Sequence, residues 1–174
     1  TDSTSHQPLR AGDADGFLAV LDTTFAVTAF TYFGGPAYDA ITAIRSDMLG
    51  SIYAVGLTTS DTAIASGSGM LGGPMDAFAL RFDSLQSPTW SRYLGAMNED
   101  EALAMDLVGH TGVIVGGRTA SVSDLSVNGH QMVHGGGSWD GFTTRMNQII
   151  STICTGICTA TSTGYGGGSG TCNG

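Results

Sequence analysis

The sequence predicts an all-β protein made of a repeated unit of four short antiparallel strands, on three observations. First, Gly accounts for 27 of the 174 residues and only 12% of residues are charged. This favours turns over helices, because Gly supplies positive φ and weakens helices. Second, the apolar segments have strand lengths and end at Gly, Asp, Asn, Ser or Pro. Third, these segments recur with a period of about 60 residues, which is typical of repeat folds.

The period is clearest at an Asp that is followed by Gly or Ala and then by Phe. This pattern begins at Asp15, Asp76 and Asp140, so successive copies lie 61 and then 64 residues apart. Flanking segments repeat in step: residues 30–35 return at 91–96, residues 39–44 at 101–106, and residues 52–56 at 112–116. Aromatic residues also recur at equivalent positions, which predicts a core between neighbouring sheets. These residues are Phe17, Phe78, Phe142, Tyr32 and Tyr93.

Each of the four segments in one period predicts a strand. The first, residues 39–44, contains Ile-Thr and ends at the turn formed by residues 45–47. The second, third and fourth are residues 52–56, 76–83 and 90–95, all rich in β-branched or aromatic residues. Residues 101–108 form the one helix-like window. We predict a strand there, because its counterpart at 39–44 has strand composition and ends in a turn.

Four antiparallel strands per period form the unit of a β-propeller blade or of a sandwich meander. The repetition favours the propeller, which is a radial array of one four-stranded sheet. If residues 40–44 are innermost, the chain holds the outer two strands of one blade, a full blade at about residues 40–94, and much of a third. Because propellers close with about four to eight blades, we expect residues 1–147 to be an incomplete propeller of about two and a half blades. Its open edges would bind other copies or the remainder of a longer chain.

The repeat also resembles a known family. Residues 76–83, DAFALRFD, followed by residues 90–95, WSRYLG, resemble the DAFVAKLD…YSTYLGG signature of the bacterial-type β-propeller repeats called SBBP. Residues 40–56 are similar to that family's GIAVDSSGNIYVTG segment, and residues 6–9 to its FQPTY lead-in. The resemblance covers about residues 6–147. It implies a secreted or surface-exposed protein with a structural, adhesive or scaffolding role, and it implies no active site.

The charge balance argues against two classes of partner. The formal net charge is −9, and all six basic residues are Arg, whereas nucleic acids and anionic membranes require clustered cations. No apolar run approaches the roughly 20 residues of a membrane helix. We therefore expect no nucleic-acid partner and no membrane span. The chain begins with Thr, from which we expect a processed product or a piece of a longer chain.

The sequence predicts no catalytic centre and no cofactor. There is no G-x-S-x-G elbow, and His130 and His134 have zincin spacing but Gln131 stands where a general-base Glu is required. Asp13 and Asp15 begin like a calcium loop, yet no Glu follows at its twelfth position. We expect the repeated Asp to accept backbone N–H groups at the entry to a strand. A calcium site at Asp13 and Asp15 is the alternative.

The tail, residues 148–174, differs from the repeats. It is rich in Gly and Thr and contains Cys154, Cys158 and Cys172. Three Cys without a nearby His do not make a four-ligand zinc site, and an odd count leaves one thiol free or paired outside the chain. The Cys-x3-Cys spacing and the Gly resemble half of an EGF-like module. That likeness implies the start of a disulfide-stapled segment in an oxidising compartment.

Two functions fit these observations. We expect an extracellular structural or interaction protein, a subunit or segment of a surface appendage, filament or cell-surface assembly. The alternative is an adhesin or a lectin-like propeller whose connecting segments bind glycans or surface proteins. The connecting segments 58–73 and 119–137 differ in their residues, whereas a lectin would carry equivalent groups on each repeat. This difference favours the structural role.

Overall fold

A computed structural model describes residues 5–66, 70–84, 87–109, 112–123, 129–147, 158–163 and 167–172. Across these ranges the chain is all-β, with eleven strands and no helix. The all-β prediction is therefore confirmed, including the strand expected at the helix-like window. The strands are β1 (Gly16–Leu21), β2 (Val27–Phe33), β3 (Asp39–Ser46), β4 (Ile52–Thr58), β5 (Asp76–Ser84), β6 (Ser87–Leu94), β7 (Asp100–Val108), β8 (Gly112–Thr119), β9 (Asp140–Asn147), β10 (Cys158–Thr163) and β11 (Gly167–Cys172).

The strands form antiparallel sheets in which sequence neighbours pair. The first sheet is β1-β2, the second is β3-β4-β5-β6, the third is β7-β8-β9, and β10-β11 form a separate pair. The second sheet spans the region where the sequence predicts a complete four-stranded unit. The first sheet lacks counterparts of β3 and β4, so one edge of β1 is unpaired among the described residues.

Strand side chains alternate between two faces of a sheet, and β5 uses both faces. Phe78, Leu80 and Phe82 contribute to a core shared with Leu18 and Phe33 of the first sheet. The intervening Ala77 and Ala79 contribute to a second core. Its remaining buried members are Tyr53, Val55, Ala102, Met105, Val113 and Val115. One core therefore lies between the first and second sheets and the other between the second and third.

Over their first two strands, the second and third sheets repeat with a constant spacing of 61 residues. Asp39 at the start of β3 pairs with Thr58, and Asp100 at the start of β7 pairs with Thr119. The strands β3 and β7, which we call the inner strands, also carry a register shift, at Ile41/Ala43 and at Ala102/Ala104. The sequence matches of the first and second strand segments were therefore each wrong by one residue, because they aligned similar side chains rather than strand register.

Two tight turns are fixed by Asp side chains. Asp22 Oδ1 accepts the N–H of Thr24 at 2.8 Å and of Ala26 at 3.0 Å between β1 and β2. Asp47 Oδ1 accepts the N–H of Leu49 and of Ser51, both at 2.9 Å, between β3 and β4. Asp side chains commonly fold turns in this way. The turn of each of these two hairpins is therefore stabilised by an Asp within it.

In the tail, β10 and β11 are antiparallel, and the register places Cys158 directly opposite Cys172. Cys154 and the greater part of the predicted tail segment lie outside the described residues. The structure adds a strand pair to this segment, for which the sequence predicted a Gly- and Thr-rich start of a disulfide-stapled module without assigning these strands.

Candidate functional site

The most regular polar feature is a corner at the start of each inner strand. Asp39 is buried, and its Oδ2 accepts the Gly35 N–H at 2.7 Å and the Ser60 hydroxyl at 2.8 Å. The Thr58 hydroxyl donates to Asp39 Oδ1. Ser60 also accepts the Ala37 N–H, at 2.9 Å. This carboxylate ties the entry to β3 to the exit from β4.

The same corner recurs 61 residues later. Asp100 Oδ2 accepts the Ala96 N–H at 2.8 Å and the Ser121 hydroxyl at 2.9 Å. Ser121 accepts the Asn98 N–H at 3.0 Å, as Ser60 does from Ala37. The sequence analysis missed this set of residues. Its signal was present as an Asp before the inner strand and a Thr-x-Ser after the next strand, both with the 61-residue spacing.

The repeated Asp at the entry to β1, β5 and β9 accepts backbone N–H groups from the preceding segment. Asp15 accepts from Ala11 at 2.8 Å and from Gly12 at 3.2 Å, and Asp76 accepts from Gly72 at 2.7 Å. Asp140 accepts from Gly135. A Gln from an equivalent segment also donates to two of the three: Gln7 to Asp15, and Gln131 to Asp140 at 3.3 Å.

The two kinds of Asp meet in pairs around a Gly. A Cβ added to Gly34 would stand 2.8 Å from both the Asp15 Cγ and the Asp39 Oδ2. A Cβ on Gly95 would stand 2.5 Å from Asp76 Oδ1 and 2.9 Å from Asp100 Oδ2. Gly is therefore required at both positions, because any side chain would displace a carboxylate. We call these pairs the first and second carboxylate corners.

The two corners differ in how fully their oxygens are satisfied. In the second corner, Asp76 is 1% and Asp100 0% exposed. The Oδ1 atom of each is buried and accepts no hydrogen bond. Burial raises the pKa of Asp76 above its ordinary value, and the charge of Asp100 adds to this, against the hydrogen bond from Gly72. In the first corner, Gln7 and Thr58 donate to the two carboxylates.

The repeated Phe residues have unequal surroundings. Phe78 is 0% exposed in the core between the first and second sheets, whereas Phe17 is 61% exposed. Phe142 is partly buried and packs against the second core. The expectation that all three belong to a core is therefore wrong for Phe17. The physical reason is that no described strand lies beside β1 on its free edge and no described sheet covers that face.

The repeated Tyr residues are both partly buried but differ in their contacts. Tyr93 packs against the first core and donates a hydrogen bond to the Ser60 carbonyl at 2.8 Å. Burial raises the pKa of Tyr93 to about 12, with contributions from the carboxylates of Asp39, Asp61 and Asp76. Tyr32 meets the ring of Phe30 edge-on at 5.0 Å on the first sheet, and Phe30 in turn stacks on Phe17 at 5.8 Å.

A groove of about 570 Å³ lies beside β9 and contains the two His singled out in the sequence. His130 and His134 both line it, together with Gln131 and Asp140. His134 Nδ1 accepts the Gly136 N–H at 3.0 Å and lies 3.7 Å from Asp140 Oδ2. Its Nε2 is buried without a hydrogen-bond partner. Most of the side chains that line the groove are polar, and Val122, Met132, Val133 and Phe142 add apolar surface.

The geometry of Asp13 and Asp15 gives little support to a calcium site. The Asp15 carboxylate already accepts three N–H groups, from Gln7, Ala11 and Gly12. Asp13 is exposed at the surface. Over the ranges that the structure describes, no group of three or more His, Cys, Asp and Glu is placed to hold a metal ion.

The comparisons leave the family open. A scan of the chain against models of known protein families gives no match, and a search of curated proteins gives no significant match. In the described ranges, no helix has both the length and the apolar character needed to cross a membrane.

Proposed function

We propose that the chain is a non-enzymatic structural segment whose sheets are blades of a β-propeller-type array, and that more of the same repeat completes it. The observation that carries this proposal is the difference between Phe17 and Phe78. These residues are equivalent in the repeat, yet one is 61% and the other 0% exposed. The first sheet therefore repeats β5 and β6 of the second sheet, but no described strand or sheet covers the side on which Phe17 lies.

The stacking of the sheets supports the blade interpretation. Each neighbouring pair of sheets encloses its own core, and the inner strands β3 and β7 begin with the same carboxylate corner. A repeat protein in which each unit contacts only its neighbours leaves its terminal units uncovered. The exposed side of the first sheet is such a terminal surface. The exposed apolar residues of this sheet and of its hairpin turn include Phe17, Val20, Leu21, Phe25 and Val27.

An extracellular location is part of the same proposal. It rests on the three Cys of the tail, on the net charge of −9, and on the likeness to surface-exposed repeats. The register that places Cys158 opposite Cys172 makes this pair the one we propose to be oxidised, which leaves Cys154 to pair elsewhere. The partners would then be other copies or the remainder of a longer chain.

A second function is favoured by one observation, the groove beside β9. A cleft of about 570 Å³ with His130, His134 and Gln131 in its walls has the size of a small-ligand site. This favours an adhesin or lectin-like module that binds glycans or surface proteins. Glycan-array binding that is lost in Gln131→Ala would support this function over the structural one.

Sedimentation of the 174-residue chain over a range of concentrations tests the structural proposal. We expect concentration-dependent association, which Phe17→Asp weakens because it places a charge on the uncovered face. Met48→Asp is the matched control, since Met48 is 100% exposed in a turn between β3 and β4. A compact monomer at every concentration, unchanged by Phe17→Asp, would contradict the proposal.

A further inference from the structure

The strands β5 and β9 are equivalent to β1 in the repeat. The strands that pair with them indicate which kind of strand would pair with the free edge of β1. On its paired side, β1 has β2, with Phe17 opposite Tyr32. On its other side no described strand pairs with it. The equivalent strands β5 and β9 do have such a neighbour, β4 and β8 respectively. The residues of β4 and β8 that face the repeated Phe and Asp therefore define the missing strand.

The residue opposite the repeated Phe is Gly in both β4 and β8. Gly56 pairs with Phe78, and a Cβ at Gly56 would lie 2.8 Å from the Phe78 ring and 1.9 Å from the Ala40 carbonyl oxygen. Gly117 pairs with Phe142, and its Cβ would lie 2.8 Å from that ring. The Phe ring thus lies across the strand, in space that any side chain on the neighbour would occupy.

The residue opposite the repeated Asp is Thr in both β4 and β8. Thr58 pairs with Asp76, and Thr119 pairs with Asp140. Both Thr hydroxyls accept the N–H of the Ser two residues later, at 3.0 Å from Ser60 and at 2.9 Å from Ser121. The neighbour of each third strand therefore has the pattern Gly-x-Thr, with Gly and Thr in fixed register.

We propose that the free edge of β1 binds an antiparallel strand of the pattern Gly-x-Thr, with its Gly opposite Phe17 and its Thr opposite Asp15. This inference rests on the proposed function and specifies its partner. The partner is the inner hairpin of another repeat of this kind. An intact copy cannot supply it from its own β4 or β8, because both strands already pair on both sides. The strand comes from a repeat whose inner hairpin is otherwise unpaired.

A synthetic hairpin with the sequence of residues 39–60, which contains Gly56 and Thr58, is the probe. Its binding to the full 174-residue chain is measured by anisotropy of a labelled peptide, and its site by hydrogen exchange of β1 amides. We expect saturable binding that slows exchange in β1 and leaves β9 unchanged. The Gly56→Val peptide should bind about tenfold or more weakly, since its side chain meets both the Ala40 carbonyl oxygen inside the hairpin and the Phe17 ring.

The reciprocal variant keeps the test specific. Phe17→Gly in the chain removes the contact with the ring but leaves the contact with the Ala40 carbonyl oxygen inside the hairpin. It should therefore reduce the difference in affinity between the Gly56→Val peptide and the unmodified peptide. Equal affinity of both peptides for the unmodified chain, or protection of β9 instead of β1, would overturn the inference. If no hairpin binds but the chain still associates through Phe17, the inference fails and the proposed function stands. If neither occurs, both fail.

Discussion

The first and second sheets contain the same repeat in different surroundings. Phe78 is enclosed by β4, the rest of its own sheet and the first sheet, whereas the equivalent Phe17 has β2 on one side and 61% of its surface exposed. The side chains are identical, so the difference comes from the neighbours each sheet has. Exposure of Phe17 therefore shows that, among the described residues, no sheet covers that face of β1.

The two carboxylate corners also differ, in the hydrogen bonds that their oxygens accept. In the first corner, Gln7 and Thr58 donate to the two carboxylates. In the second, one oxygen of Asp76 and one of Asp100 are buried without a donor. An unsatisfied buried oxygen favours protonation, because desolvation penalises the charged form. Burial accordingly raises the pKa of Asp76 in the second corner.

The largest effect is expected from truncating the buried Phe. Phe78→Ala should lower the free energy of unfolding by about 3–5 kcal/mol, through lost burial and a cavity in the core between the first two sheets. Phe17→Ala is the matched variant and should change it by less than about 1 kcal/mol, because that ring already contacts solvent. Urea unfolding of both variants, under conditions where the chain is monomeric, makes the comparison. Equal losses would show that Phe17 is covered in the chain alone.

A smaller effect is expected from the pKa of Asp76, which is raised by burial. A raised pKa means that the folded state holds the proton more tightly than the unfolded state. Stability should therefore fall as pH rises from the ordinary Asp pKa, about 4, through the folded pKa, and stay lower above it. Asp76→Asn should remove this part of the pH dependence, as measured by urea unfolding between about pH 4 and pH 7.

Asp22 provides the control of opposite sign. Hydrogen bonds from the Thr24 hydroxyl and from the Ala26 and Thr24 backbones lower its pKa. Its contribution is present above the ordinary pKa and is lost as pH falls through the folded one. Asp22→Asn should therefore flatten the profile on the acid side. If Asp76→Asn left the slope of stability against pH unchanged, Asp76 would be solvated or paired, and the raised pKa would be contradicted.

Sequence reasoning predicted the fold class and the strand segments because both depend on local composition and on periodicity. It also identified Asp15, Asp76 and Asp140 from a repeated triplet. It missed the equivalence of Asp39 and Asp100 because it aligned residues 39–44 with residues 101–106 by similar side chains, one residue away from the strand register. It placed Phe17 in a core because a periodic pattern carries no information on whether a neighbouring sheet is present.

Other features depend on contacts between distant segments. Gly34 and Gly95 each lie next to two carboxylates that are distant in sequence from one another. No local sequence motif predicts these contacts. The same holds for the Gly of β4 and β8, which are separated from their Phe partners by a connecting segment. Only strand register shows that Gly56 and Gly117 have one shared role.

Hydrogen exchange of β1 and β5 tests the central claim most directly, in the isolated chain and in the larger assembly that we propose. We predict that β1 amides on the free edge exchange rapidly in the isolated chain and slowly in the assembly, whereas β5 amides exchange slowly in both. Slow exchange of β1 in a dispersed monomer, or rapid exchange of β1 within the assembly, would contradict the claim that more of the same repeat completes the first sheet.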